Sequence, residues 1–516
     1  MSAHVQIRFL GGNVGENITG SCSMLIIKER KKTTRILIDA GLIQGCFQNS
    51  ITANLEILKR IKPSEIDYII LTHSHIDHIG RVPLMIKYGF KGKIICTSGT
   101  SDLLQVMLED TAKIQMSEAG FLNKHAQKTT LHHSHNHNQH RSRGNYDRIK
   151  RKEKAGRSKI KPLYTLDDVA AVKARIKNGG YPYKTWIRLS LGTAVSFYSS
   201  GHVMGGSVVV FRINNENTSR YICFSGDLGR EDGIILPPPE KIDENIDALV
   251  IESTYGGRLH PNRQEEISTI LQLLRKAYRN KQKVIIPSFA LERSQEIIYL
   301  LSYYMKIGMI PPIPIYLDSP LAEKITDAFK RAWTDGMFAD QDKLKFNPFS
   351  CQENQYFNIV SSPKESDKLV SMTGCFIVIA GSGMCDAGRI RGHLRHNLRD
   401  PKTIVWLIGY MAENSLGRKL KERHYAVRMN KEEIIVKAQV VCFDSFSAHA
   451  DGKFLAVYAN SLLSKPSKNR KKVFLVHGSL GSASDMMEDL KTALPDHIQA
   501  NISIFIPKIN EVHDIF

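Results

Sequence analysis

The sequence lacks any run of about twenty uninterrupted apolar residues, the length that a membrane-spanning helix requires. It also lacks the apolar core of a signal peptide, because residues 1–9 read as the start of a strand. We therefore expect a cytoplasmic protein without a membrane partner.

Paired cysteines are lacking as well. The 8 cysteines include no C-x-x-C pair, which argues against a thiolate zinc site and against a disulfide framework. Four of them lie in apolar, strand-like runs and are expected to be reduced core residues: Cys96, Cys223, Cys375 and Cys442.

Acidic residues are in deficit. Lys and Arg number 71 against 51 Asp and Glu, which gives a formal net charge of +20. An excess of this size favours a polyanionic partner, most simply nucleic acid, although basic charge can also serve solubility alone. The hydrophobic share of 42% is ordinary for a globular protein, and the length predicts more than one domain.

Residues 121–161 differ from the rest in composition. They hold 12 Lys or Arg, 2 Asp or Glu and 6 His, with few apolar residues. The segment is predicted to be a mobile surface insertion, because it can bury little. A basic arm for phosphate backbone, a metal-binding tract and a solvated insertion without a catalytic role all fit this composition.

The densest group of metal-ligand side chains is at residues 73–78. His73, His75, Asp77 and His78 follow the apolar run 68–72, which reads as a buried strand. Imidazole nitrogen and carboxylate oxygen are the usual ligands of zinc. His73 and His75 are two residues apart and point the same way in an extended segment, whereas Asp77 and His78 lie beyond the turn. The spacing therefore suits two metal ions rather than one.

Similar side chains recur after later strand-like runs. Each alone is weak evidence, because a loop histidine or a turn-forming aspartate is common. Their repeated position at strand ends, often beside glycine, makes them candidates for ligands or proton-handling groups: Asp39, His202, Asp227, Glu252, His449 and His477.

Between about 257 and 445 the pattern changes to alternating strands and helices, which predicts a parallel sheet. Ligands bind at the carboxyl ends of such strands. Ser382, Gly383 and Arg389 follow one strand and open a predicted helix, so they are candidates for RNA phosphate contacts. A structural glycine turn with a solvated arginine fits the same residues.

These residues, in this order, resemble a known family. Asp39, the 73–78 cluster, His202 and Asp227 resemble the metallo-β-lactamase fold. The segments 251–256, 445–451 and 475–478 resemble the three further motifs of its β-CASP branch of nucleases, and 287–296 and 409–417 are similar to its inserted domain. The chain looks like the compact bacterial ribonucleases, related to ribonuclease J and to the polyadenylation-factor endonuclease.

The resemblance implies an α/β fold, a metallo-β-lactamase αββα sandwich with an inserted parallel α/β domain. It implies a first part of the sandwich at 1–256, the β-CASP domain at 257–445 and a return segment at 446–516. It also implies two zinc ions per chain, with manganese an alternative for mixed N/O ligands. One zinc would be held by His73, His75 and His202, the other by Asp77, His78 and His477, with Asp227 bridging and Asp39 behind the ligands.

The activity that the resemblance implies is hydrolysis of RNA phosphodiesters by a hydroxide that two metals activate. Asp77, His449 and Glu252 would be catalytic, with His449 as the general acid and Glu252 orienting it. In the family that this chain resembles, a histidine at the last motif goes with RNA substrates more than DNA, so the resemblance implies through His477 that RNA is the substrate. A DNA-directed nuclease, a catalytically silent RNA-binding subunit and a small-molecule hydrolase are the alternatives. RNA is the expected partner, a homodimer is compatible with the sequence, and internal or 5′-end cleavage is left open.

Overall fold

A computed structural model describes residues 4–15, 18–29, 32–45, 47–135, 159–177, 179–190, 192–215, 218–338, 341–409, 411–467 and 469–516. The helices are α1 (Phe47–Arg60), α2 (Ile76–Ile79), α3 (Val82–Lys87), α4 (Ser98–His135), α5 (Leu166–Lys173), α6 (Arg263–Arg279), α7 (Arg293–Lys306), α8 (Pro320–Thr334), α9 (Pro363–Ser371), α10 (Ile390–Asn397), α11 (Leu416–Lys421), α12 (Gly452–Leu463), α13 (Leu480–Ala493) and α14 (Asp496–Gln499). The strands are β1 (His4–Gly11), β2 (Cys22–Glu29), β3 (Lys32–Ile38), β4 (Tyr68–Ile70), β5 (Lys93–Ile95), β6 (Ile187–Arg188), β7 (Thr193–Ser199), β8 (Ser207–Asn215), β9 (Thr218–Phe224), β10 (Ile246–Glu252), β11 (Lys283–Pro287), β12 (Ile315–Asp318), β13 (Phe357–Ile359), β14 (Ile377–Ala380), β15 (Thr403–Ile408), β16 (Ala426–Met429), β17 (Glu432–Ile435), β18 (Gln439–Phe443), β19 (Lys471–Val476), β20 (Ile502–Phe505) and β21 (Val512–Asp514).

Two sheets form a sandwich. The first has the order β21–β1–β2–β3–β4–β5, and the second has the order β20–β19–β10–β9–β8–β7–β6. Successive side chains along a strand belong alternately to two apolar layers. In β10, Ala248 and Val250 pack between the sheets, whereas Leu249 and Ile251 pack outward with residues of α12 and α13. This period of two gives the αββα sandwich that the resemblance implied, and that fold is confirmed.

The third sheet is parallel throughout and has the order β13–β12–β14–β11–β15–β18. In β11, Ile285 packs on one face, and Val284 and Ile286 pack on the other. The layer that holds Val284 is continuous with the core under α4, because α8 and α4 contribute to one apolar cluster. The inserted sheet is thereby joined to the sandwich through apolar packing.

The chain leaves the sandwich after β10 and returns to it at β19. These two strands pair in parallel, with Glu252 opposite Val476. Residues separated by more than two hundred positions therefore meet at one edge of the sandwich. The prediction that the chain departs into a β/α domain and comes back is confirmed, and the bounds 256/257 and 445/446 stay our proposal for where it does so.

Local expectations are met in most places. β1, β2 and β3 form an antiparallel meander. α6 begins at Arg263, and the side chain of Asn262 accepts a hydrogen bond from the Gln264 amide. Cys96 and Cys223 are buried, but Cys375 and Cys442 are only half-buried because they lie at the margins of the third sheet.

The basic, histidine-rich segment begins inside a helix. α4 extends to His135, so the first part of 121–161 is helical. The helix continues because residues 121–135 contain neither glycine nor proline. Residues 136–158 lie outside the described part of the chain. Among the helices of the described residues, none is long and apolar enough to span a bilayer.

Candidate metal centre

Most of the metal-ligand candidates from the sequence lie together at one edge of the sandwich. His73 and His75 follow β4, and His202, Asp227 and His477 follow β7, β9 and β19. β9, β10 and β19 are mutually parallel, so their carboxyl ends reach the same edge. Asp77 and His78 lie in the short helix α2 directly after the first two histidines.

The ligand atoms form two groups. In the first, His75 Nδ1 lies 3.1 Å from His73 Nε2 and 3.3 Å from His202 Nε2. In the second, His477 Nε2 lies 3.4 Å from His78 Nε2 and 3.3 Å from Asp77 Oδ2. Each group thus has three side chains converging on a point the size of an ion.

Asp227 stands between the groups. Its Oδ2 lies 3.5 Å from His73 Nε2 and 3.6 Å from His202 Nε2, and its Oδ1 lies 3.4 Å from His78 Nε2. The side chain is buried, and Oδ1 has no hydrogen-bond partner. One carboxylate oxygen therefore faces each group.

The residues fit a pair of metal ions. Zinc ligands about 2.0–2.1 Å from the ion in a tetrahedron are roughly 3.3 Å apart, which matches the separations here. Imidazole and carboxylate are the preferred donors. A buried carboxylate oxygen without a hydrogen-bond partner costs free energy unless a cation faces it, so Asp227 points to the same conclusion.

The ring nitrogens of the ligand histidines that face away from the ligand groups have hydrogen-bond partners of their own. Asp39 Oδ2 accepts from His78 Nδ1 at 2.7 Å and from the Thr72 hydroxyl at 2.8 Å. The Thr72 oxygen lies 3.0 Å from His73 Nδ1. Such contacts fix the tautomer and orientation of a ligand histidine. Asp39 was predicted in this position, whereas Thr72 was missed although it directly precedes His73.

Two further contacts of this kind come from distant parts of the chain. The carbonyl of Ala448 lies 3.3 Å from His202 Nδ1, and the Thr254 hydroxyl lies 3.3 Å from His477 Nδ1. Neither was predicted. A backbone carbonyl carries no sequence signal, and Thr254 meets His477 only because β10 and β19 pair.

Burial and neighbouring charges shift the pKa values of the ligand histidines in opposite directions. Burial lowers the pKa of His73 and His202 well below its usual range and that of His75 to about 4, which leaves neutral rings suited to metal binding. Burial also opposes the charged form of His78, but the Asp227 and Asp39 carboxylates raise its pKa well above the usual range. An ion at this position competes with that proton.

His449 and Glu252 form a pair beside the centre. His449 Nδ1 lies 3.1 Å from Glu252 Oε2, and Glu252 Oε1 accepts from the Leu228 amide at 2.6 Å. Burial opposes the charged ring, but Glu252 outweighs it and raises the pKa of His449 to about 9. The other ring nitrogen, Nε2, lies 4.0 Å from Asp227 Oδ2. A protonated imidazole thus faces the ligand groups.

Ser382, Gly383 and Arg389 lie in the loop between β14 and α10. The sequence allows Arg389 to be either a phosphate contact or a solvated side chain. Its Nη1 donates instead to Asp318 Oδ1 at 2.7 Å and to the Val360 carbonyl at 2.8 Å, because Asp318 is a buried carboxylate that needs a partner. The Ser382 hydroxyl contacts Ala387. Contact of these residues with RNA stays a prediction.

Gly41 is required where two loops meet at the centre. A Cβ at this position would lie 1.5 Å from the Asp77 carbonyl oxygen. We expect Gly41→Ala to displace α2, to lower the free energy of unfolding by about 1–3 kcal/mol and to lower metal content. Denaturant unfolding with metal analysis measures both.

Gly120→Ala is the matched control. A Cβ at Gly120, inside α4, would have no atom within 4 Å. This change should leave metal content unaltered and add about 0.5–1 kcal/mol of stability. Equal free energies of unfolding and equal metal contents for the two variants would contradict the steric clash expected at Gly41.

Comparison with known proteins agrees with this architecture. Family models match three segments: Metallo-beta-lactamase superfamily at 18–146, Beta-Casp domain at 294–420, and Zn-dependent metallo-hydrolase RNA specificity domain at 433–507. Ribonuclease TTHA0252 of Thermus thermophilus is 30% identical, over 92% of this chain and 93% of its own. An RNase J-like protein of Methanocaldococcus jannaschii is 26% identical, over 94% and 96%. The transcription termination factor FttA of Methanosarcina mazei is 24% identical, over 93% and 68%.

Proposed function

The chain belongs to the β-CASP nucleases of the metallo-β-lactamase superfamily, and from that premise we propose that it is a zinc-dependent ribonuclease. The observation that carries the proposal is the pair of ligand groups that share Asp227, with His449 beside them. A catalytically silent subunit would not need this complete set of metal ligands together with His449.

His73, His75, His202 and Asp227 would hold one zinc ion, and Asp77, His78 and His477 the other. Asp227 would also reach the second ion, because its Oδ1 lies 3.4 Å from His78 Nε2. When bound there, two such ions would lower the pKa of a water molecule to about 7 and would stabilise negative charge on the phosphate. Imidazole and carboxylate donors also suit manganese, so reconstitution with each metal is part of the test.

The protein side chains supply proton transfer and orientation. His449 donates a proton to the leaving alkoxide oxygen as the phosphodiester bond breaks. Glu252 accepts from Nδ1–H of His449, which keeps the ring charged and keeps Nε2 directed at the ligand groups. Asp39, Thr72 and Thr254 hold the ligand imidazoles in orientation.

RNA is the substrate that the observations favour. The net charge of +20 suits a nucleic acid. A family model for RNA specificity matches residues 433–507, and two of the relatives described above carry names that refer to ribonucleases. The seven described cysteines are free thiols, which fits the reducing cytoplasm where such an enzyme would act.

The test uses RNA and DNA of one sequence, each labelled at the 5′ or the 3′ end. We expect the protein to cleave RNA in preference to DNA. A chelator should stop cleavage, and added zinc should restore it, because all ligand side chains belong to the chain itself. The label that appears in short products distinguishes internal from 5′-end cleavage. RNA cleavage that survives complete metal removal, or faster cleavage of DNA, would contradict the proposal.

A further inference from the structure

The segment 445–451 has a special place in the fold. It is the return crossover, since β18 ends at Phe443 in the inserted sheet and α12 begins at Gly452 in the sandwich. It carries His449, and it carries the Ala448 carbonyl that contacts His202. The position of the proton donor therefore depends on how this crossover is anchored.

The peptide of Ser445 is held from both sides. Its amide donates to Glu266 Oε2 at 2.9 Å, and the preceding amide, of Asp444, donates to Glu266 Oε1 at 3.1 Å. Its carbonyl accepts from Arg230 Nη1 at 2.9 Å and from Arg263 Nε at 3.3 Å. We call Arg230, Arg263 and Glu266 the Ser445 clamp.

The clamp joins both crossovers between the domains. Arg263 and Glu266 belong to the first turn of α6, directly after the outgoing crossover, whereas Arg230 follows β9 in the sandwich. Asp232 ties the two guanidinium groups together, with contacts of 2.6 Å to Arg230 and 3.5 Å to Arg263. The Arg263 side chain is nearly fully buried, and burial lowers its pKa to about 10.

Helix capping does not account for the clamp. α6 already has an N-cap, because the Asn262 side chain accepts from the Gln264 amide. The neighbouring exposed Glu265 contacts only Asn262 among the side-chain bonds described. Glu266 is instead directed at the return crossover. Downstream of His449, the Ala450 amide donates to the Leu228 carbonyl at 2.8 Å, so the histidine lies between two anchors.

From this geometry we propose that the Ser445 clamp is a set of positioning residues for His449. The clamp holds the return crossover so that Nε2 of His449 faces the ligand groups, and it makes proton donation depend on the placement of the inserted domain. The inference rests on the proposed function, because it takes His449 to be the general acid.

The test compares two substrates that differ in their need for a proton. In RNA the leaving group is a ribose alkoxide, which must be protonated. In bis(p-nitrophenyl) phosphate the leaving group is a p-nitrophenolate, which is stable without a proton. A displaced general acid therefore slows RNA cleavage but spares the activated ester. In Glu266→Ala we expect kcat for RNA to fall about tenfold or more, since misplacement by about 1 Å can cost 10²-fold. The kcat for the ester should change less than twofold.

Three further variants complete the experiment. Glu265→Ala removes an equivalent carboxylate from the same helical turn and should leave both rates unchanged. Glu266→Gln retains an acceptor and should recover part of the RNA rate. Arg230→Lys breaks the clamp from the sandwich side and should repeat the pattern of Glu266→Ala. Equal losses on both substrates, or no loss on RNA in folded Glu266→Ala and Arg230→Lys, would overturn the proposal.

His449→Ala in the same assay separates this inference from the proposed function. If that variant slows both substrates equally, His449 is not the general acid and both claims fall. If it spares the ester while the clamp variants do not, only the clamp is wrong.

Discussion

Asp227→Asn is expected to abolish RNA cleavage in a protein that remains folded. The change keeps the shape of the side chain but replaces one carboxylate oxygen by an amide nitrogen, which cannot bind a cation. Asp227 faces both ligand groups, with contacts of 3.4 Å to His78 and 3.5 Å to His73. The loss should therefore exceed the roughly 10–100-fold that follows removal of a residue supporting a single ligand.

Metal content and cleavage should be measured together for this variant. We expect less than the full complement of metal and a cleavage rate near background. Asp243→Asn is the matched control, since Asp243 is an exposed aspartate of the same domain and should retain both properties. Wild-type cleavage by Asp227→Asn at saturating zinc would refute its assignment as the shared ligand.

His449→Ala should lower kcat for RNA by about 10²–10⁴-fold, the usual contribution of a general acid. Metal content should be unchanged, because the His449 ring is not part of either ligand group.

A substitution of Glu252, the carboxylate that contacts His449, tests the role of His449 as general acid a second time. Glu252→Gln keeps a hydrogen-bond acceptor near Nδ1 but removes the charge that raises the His449 pKa to about 9, so a smaller loss is expected.

Single-turnover rates with RNA measure the chemical step without product release. Asp39→Asn is a useful comparison, because Asp39 contacts His78 on the side away from the ligand atoms and should weaken metal binding instead. If His449→Ala lost metal to the same degree as Asp39→Asn, its slower cleavage would not reflect a missing proton donor.

Local spacing predicts part of this site. His73, His75, Asp77 and His78 lie within one short segment, so their convergence follows from the chain itself. Asp39, His202, Asp227 and His477 were found because each follows a strand. Their pairwise distances were not predictable, since they depend on the order of strands in the sheets and on the pairing of β10 with β19.

Contacts without a sequence pattern were missed. The Ala448 carbonyl behind His202 and the Ser445 clamp both depend on the tertiary position of the return crossover. The strand-then-loop pattern predicted Arg389 as a phosphate contact. It could not predict the ion pair of Arg389 with the buried Asp318, because Asp318 belongs to a different strand. The low content of apolar residues predicted a surface insertion at 121–161 without indicating its secondary structure, and α4 continues into that segment as far as His135.

The proposed two-metal centre is tested most directly by adding zinc to the metal-free protein while bound zinc and the rate of RNA cleavage are followed together. We expect no cleavage without metal and a rate that rises until two zinc ions are bound, one for each ligand group around Asp227. Cleavage of RNA by the metal-free protein, or a rate that is complete when only one ion is bound, would contradict it.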